Sequence, residues 1–181
     1  KSGNGEREDH PFGPDKPARR REREQPDVVV ERLRVRAGAD AIGFVLYAKS
    51  PRHVVLDRAV QLSRSLPPFV TPVLLFVNAT LTAIDAACKA LPQALLQFHG
   101  DETAAECDAA MRGYLRAVRM GAAVDLLDWV SRFPNAAALL LDADVEGYGG
   151  GGKRFDWSLI PPAAKIPLVL SGGLSPANVI D

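Results

Sequence analysis

The chain has 181 residues, 47% of them hydrophobic and 24% charged, with equal numbers of acidic and basic side chains and two cysteines. This is the composition of a globular domain that buries roughly 70% of its unfolded surface and needs no disulfide or metal to hold it together, so Cys88 and Cys107 fit reduced thiols better than a disulfide scaffold. Charge neutrality argues against nucleic acid as the main partner, and no apolar run nears the ~20 residues of a membrane span or follows a secretory signal layout, so a cytoplasmic protein is expected.

Residues 1–27 form the first region, in which only Phe12 and Ala18 are apolar and Pro11, Pro14, Pro17 and Pro26 interrupt any helix or central strand. Its basic cluster KPARRRERE at 16–24 is diluted by Glu22, Glu24 and the preceding Asp15. A solvated or disordered arm is the reading; nucleic-acid binding is disfavoured. From about Val28 the texture changes, and 28–181 reads as one domain of alternating apolar runs and amphipathic stretches.

Six apolar runs predict strands at 41–47, 72–77, 94–98, 115–120, 137–142 and 167–173. Their near-continuous apolarity fits strands covered on both faces, as in a parallel sheet. Three- and four-residue spacing predicts helices at 79–90 and 101–114, the second capped by Asp101 or Thr103. Periodicity does not choose between a barrel and a doubly wound sheet. Both put function at the carboxyl ends of the strands, so the residues after each run carry the information.

After the first run, Arg52 follows Pro51 and suits bidentate binding of a carboxylate, or else covers the rim. The third run leads directly into His99, a candidate ligand contact or a cap for the next helix. Asp142 ends the fifth run beside the glycine-rich loop GYGGGGKR at 147–154. A carboxyl group sheltered at a strand terminus holds its proton more tightly and suits general-acid work, although Asp144 competes for the role. The last run ends in Gly172 and Gly173, whose backbone N–H groups could approach a phosphate, with Ser175 and Pro176 marking a helix start. With three histidines in the whole chain, His10, His53 and His99, and no paired-cysteine spacing, no metal site is expected.

In combination, GADAIGFVLYAKSPRHV, LLFVNAT, LLQFHGDE, LRAVRM, LLLDA, GYGGGGKRFDWSLIP and PLVLSGGLSPANV, over residues 37–181, resemble the phosphoribosylanthranilate isomerases of tryptophan biosynthesis. The resemblance implies a (β/α)8 TIM barrel and a cofactor-free Amadori rearrangement of a phosphorylated small molecule. It implies Asp142 as the acid that protonates the ribose ring oxygen, Arg52 near the anthranilate carboxylate, His99 on the substrate side, and Gly172 and Gly173 in the phosphate site. In that family a cysteine in a first-strand motif, Lys-Ile-Cys-Gly-Leu-Thr, removes the sugar C2 proton.

Nothing before residue 37 resembles that motif, and the family pattern continues beyond Asp181 into an eighth strand. An incomplete barrel is therefore expected, lacking its first and eighth strands, with exposed sheet edges, poor isomerase competence as written, and a start that reads like an alternative frame. Cys88 and Cys107 fall within helix patterns and are poor substitutes for the missing base. The competing readings are another phosphate-binding barrel enzyme, such as an indole-glycerol-phosphate synthase or a sugar-phosphate epimerase, and an inactive homologue or fragment. The sequence does not speak to oligomeric state.

Overall fold

The computed structural model describes residues 38–143, 155–162 and 164–178. The arm at 1–27, Asp144 and the loop at 147–154 lie outside the described residues. The described residues contain six strands: β1 Ala41–Val45, β2 Thr71–Phe76, β3 Leu95–Phe98, β4 Tyr114–Met120, β5 Ala138–Ala143 and β6 Leu168–Leu170. Every one falls on an apolar run read from the sequence. Among the described residues four α-helices alternate with them: α1 Leu56–Ser63, α2 Leu81–Ala90, α3 Ala104–Asp108 and α4 Leu126–Arg132, followed by a 3-10 turn at Trp157–Leu159.

All neighbouring pairs are parallel, and the strands lie in chain order from β1 to β6. A doubly wound sheet would reverse its order at a switch point; a sheet that adds each strand to the same edge curls into a barrel. The curl is visible in one pocket, whose lining includes Val45 of β1, Leu140 of β5 and Gly172 just past β6. The fold is an incomplete (β/α)8 barrel.

Alternation along the strands divides the side chains between two layers. Phe44, Leu74, Phe76, Leu96 and Phe98 point outward into a core shared with Ala59, Leu62, Ile84 and Ala87 of the helices. A second cluster joins Val118, Met120, Leu139 and Leu141 to Leu126 and Phe155. Full burial of each Leu or Phe contributes about 1.5–3 kcal/mol, so these outward faces hold the helices to the sheet. Residues of the opposite parity, such as Val45, Leu75, Gln97, His99, Leu140 and Asp142, face the interior and line the pocket.

The helices start where local chemistry allows. Thr80 caps α2 by accepting the amide of Ala83, and Asp125 caps α4 by accepting from Leu127 and Asp128. Thr103, one of the two expected caps, closes a reciprocal box with Glu106 at the start of α3. The helix expected over 101–114 is corrected to the five residues of α3. Met111 has a positive φ of 52°, which ends helical geometry, and Tyr114 is the first residue of β4.

Candidate functional site

The pocket at the carboxyl ends of the strands has a volume of about 330 Å³, within the usual range for small-molecule sites. Arg52, His99, Asp142, Gly172 and Gly173 all line it. The five positions singled out in the sequence come from four different strand ends, and the curl of the sheet brings them together.

Asp142 is the acid in the pocket lining, 5% exposed near the end of β5. One carboxylate oxygen, Oδ1, accepts the amide of Ala143 at 3.1 Å, and the other, Oδ2, lies 3.2 Å from Nε2 of His99. Gly172 closes the remaining side. With φ at +75° it adopts a left-handed conformation, and a Cβ there would sit 2.5 Å from Asp142 Oδ1. Gly173 follows with φ at +65°. The turn beyond is tied by Asn178, whose side-chain amide donates to the Gly173 carbonyl at 3.0 Å while its Oδ1 accepts the Ser175 amide at 2.8 Å. Residues 176–178 form a turn, and the helix expected after Ser175 would continue outside the described residues.

His99 is 6% exposed, and its ring is held from both sides. Nδ1 lies 3.0 Å from the side-chain nitrogen of Gln97, two residues back in β3. Nε2 has an ion-pair distance to Asp142 but no hydrogen bond among the described residues, because the direction of the contact is wrong for one. A buried ring nitrogen without a partner is costly by itself and suits a site that a ligand completes.

The turn that carries His99 is fixed by a buried ion pair. Glu102 accepts the backbone amides of Asn78 at 2.7 Å and Gly100 at 2.9 Å, and Arg116 of β4 donates to the carbonyls of Phe98 at 2.8 Å and Gly100 at 2.9 Å. Their charged groups are 3.6 Å apart, and the Arg116 guanidinium also lies over the rings of Trp129 and Phe133. Burial pulls the Arg116 pKa below its ordinary value, with Glu102 opposing that shift. Asn78, at φ 50°, reaches across to accept the Asp101 amide at 2.7 Å. Gly100 must be glycine, since a Cβ would fall 2.3 Å from Asn78 Oδ1.

Arg52 is exposed at the pocket mouth. Its loop folds back through two tight turns, Ser50 bonding to Tyr47 and His53 to Ser50, before Val54 rejoins Val45 of β1. The guanidinium is thus placed on a short anchored loop.

Sequence reading did not single out Gln97, Glu102 or Arg116. Gln97 carried a signal in its two-residue spacing from His99, and Arg116 in being, with Arg119, one of two charges inside a run that reads as a buried strand. Cys88 and Cys107 do not line the pocket. Cys107 lies on the buried face of α3, where burial, partly offset by Arg116, pushes its thiol up to about 12. Cys88 is half-buried on α2 and is also shifted upward, chiefly by burial. Among the described residues no three His, Cys, Asp or Glu side chains cluster as metal ligands would, and no helix is long and apolar enough to cross a membrane.

A barrel that gathers a buried acid, an imidazole and left-handed glycines at the carboxyl ends of its strands is built as an enzyme for acid–base work on a small molecule. The chain belongs to the N-(5'phosphoribosyl)anthranilate (PRA) isomerase family, whose model matches residues 27–181. It is 64% identical over 147 residues to the N-(5'-phosphoribosyl)anthranilate isomerase of Methylibium petroleiphilum, covering 81% of this chain and 69% of that protein. The fold superposes on the phosphoribosyl anthranilate isomerase of Thermotoga maritima with a TM-score of 0.72 at 37% identity, covering 84% of this chain and 74% of that one. It also superposes on a phosphoribosyl anthranilate isomerase in complex with reduced 1-(o-carboxyphenylamino)-1-deoxyribulose 5-phosphate, with a TM-score of 0.67 at 34% identity, covering 85% and 73% of the two chains. The family match begins ten residues before the motifs that carried the resemblance.

Proposed function

We propose that this pocket binds N-(5-phosphoribosyl)anthranilate and that Asp142 is the general acid of its rearrangement to 1-(2-carboxyphenylamino)-1-deoxyribulose 5-phosphate, in tryptophan biosynthesis in the cytoplasm. The observation that carries the reading is the placement of Asp142 between His99 and Gly172, buried yet lining the pocket. In this reading a proton passes from the Asp142 carboxyl to the ribose ring oxygen as the C1–O bond breaks, and the anthranilate nitrogen lone pair forms the Schiff base. A separate base then takes the C2 proton, and the enolamine tautomerises to the ketone. Neither cysteine of the chain lines the described pocket, so that base is a different group from Cys88 and Cys107.

The other roles follow from position. The exposed Arg52 offers a fork to the anthranilate carboxylate, and Gly172 and Gly173, also lining the pocket, let a phosphate approach the backbone without Cβ atoms. His99 presents its ring nitrogen beside Asp142, within reach of a sugar oxygen. A relative solved with the reduced product analogue supports a phosphorylated ligand of this size.

The test is loss of substrate fluorescence with the purified full-length protein and its Asp142→Asn variant. Turnover by the parent and a drop of at least ~10²-fold in kcat with unchanged melting support the acid role. A parent without turnover, which also fails to rescue a tryptophan auxotroph lacking the isomerase, overturns the assignment.

A further inference from the structure

We propose that Gln97 is a positioning residue that sets the tautomer of His99, making the buried imidazole a neutral donor through Nε2 toward the pocket. The inference deepens the proposed isomerase site and rests on that reading for its kinetic part alone. The contact to Nδ1 fixes the tautomer. The Gln97 side-chain nitrogen, 3.0 Å from Nδ1, can only donate, so Nδ1 must present its lone pair and the ring proton must be on Nε2. Nε2 then carries the proton on the pocket side of the ring, 3.2 Å from Asp142 Oδ2.

Gln97 and His99 are held in this relation by extended backbone, since His99 follows β3 directly and residues two apart along an extended chain project from the same face. The backbone on both sides is pinned. The His99 amide donates to Phe76 at 2.9 Å, and the carbonyls of Phe98 and Gly100 accept from Arg116. A ring fixed in position but free in tautomer could offer the pocket either a donor or an acceptor. The Gln97 amide removes that choice. The Nε2–H has no hydrogen bond among the described residues, so it remains available for a ligand oxygen next to Asp142.

Gln97→Met keeps length and removes the donor; Gln97→Glu replaces it with an acceptor that calls the proton to Nδ1. Two-bond nitrogen–proton correlation spectra of histidine-labelled protein, with the His99 signals identified by their loss in His99→Ala, read the tautomer directly. The expected result at about pH 8 is a protonated Nε2 in the parent, a mixture in Gln97→Met, and a protonated Nδ1 in Gln97→Glu. A parent with the proton on Nδ1, or a Gln97→Met spectrum identical to the parent's, overturns the proposal. In the isomerase assay Gln97→Met should lower kcat/KM roughly 3- to 10-fold, the worth of one hydrogen bond. In a His99→Ala background the same change should have no further effect, and a full-sized loss there would show that Gln97 acts without His99. Absence of turnover in the parent would count against the isomerase reading while the spectra still decide the tautomer.

Discussion

Gly172→Ala tests the geometry around Asp142 more directly than changing the acid itself. The new methyl group would lie 2.5 Å from Oδ1 of Asp142 and 3.2 Å from the amide of Ala143, and the first distance is below any that real Cβ atoms tolerate. The φ of +75° adds about 1–2 kcal/mol for an L residue with a side chain. Turning the carboxylate away to relieve the clash sacrifices the Ala143 N–H bond at 3.1 Å, worth about 1 kcal/mol. Together these predict a loss of roughly 2–3 kcal/mol, or about 4–12 °C in melting temperature for a chain of this size.

The effect on turnover should be larger than the effect on stability implies. A displacement of the acid by about 1 Å costs on the order of 10²-fold in rate even when the protein remains folded. Thermal unfolding by circular dichroism and the fluorescence assay, run well below the melting point, separate the two. Gly43→Ala is the control, because a Cβ on that β1 glycine has no atom within 4 Å, and its melting point and turnover should match the parent's. A Gly172→Ala protein with parental turnover would refute the contact between that glycine and a catalytic carboxylate.

Arg52→Ala should raise KM by at least tenfold with kcat within about threefold, since a rim contact to a carboxylate strengthens binding of ground and transition states alike; an unchanged KM counts against that contact. Glu102→Gln should cost about 3–5 kcal/mol in urea unfolding at constant m, because Arg116 is left buried without its counter-charge and an NH2 group faces a backbone donor. Cys107 makes stability depend on alkaline pH. Its folded thiol, at about 12, lies above the ordinary 9.0, so its contribution is complete below about pH 9 and is lost as pH rises toward 12. The slope approaches about 1.4 kcal/mol per pH unit, and about 2 kcal/mol should be gone at pH 10.5 in the parent but retained by Cys107→Ala. Parallel pH profiles for the two proteins would place the ionisation elsewhere.

Much of the barrel could be read from hydrophobic runs, because strands buried on both faces leave little room for polar residues. The six strands and the cap at Thr103 follow from that and from hydrogen-bond chemistry of short side chains. The helix over 101–114 was overextended because DETAAECDAAMRGY repeats apolar residues at helical spacing throughout, and periodicity does not register where the chain must turn back to begin β4. The candidate site was legible where a polar residue ended an apolar run, as at His99 and Asp142. It was illegible where the partner came from another strand: nothing near Glu102 in sequence announces Arg116, fourteen positions on, or the amide of Asn78.

The buried pair explains why His99 can be both anchored and incompletely bonded. Glu102 and Arg116 spend their charges largely on backbone groups at 2.7–2.9 Å, three of the turn and the amide of Asn78, and so fix the chain on each side of His99 without touching its ring. Ring orientation is left to interior-facing groups alone, Gln97 on one nitrogen and Asp142 near the other. That division places the costly desolvation of a charge pair in the outer layer, where Trp129 and Phe133 cover Arg116, and leaves the inner face free to present an acid and a donor to a ligand. A site arranged in this way can lose its outer pair only by losing the turn, whereas its inner groups can be altered one at a time in a folded protein.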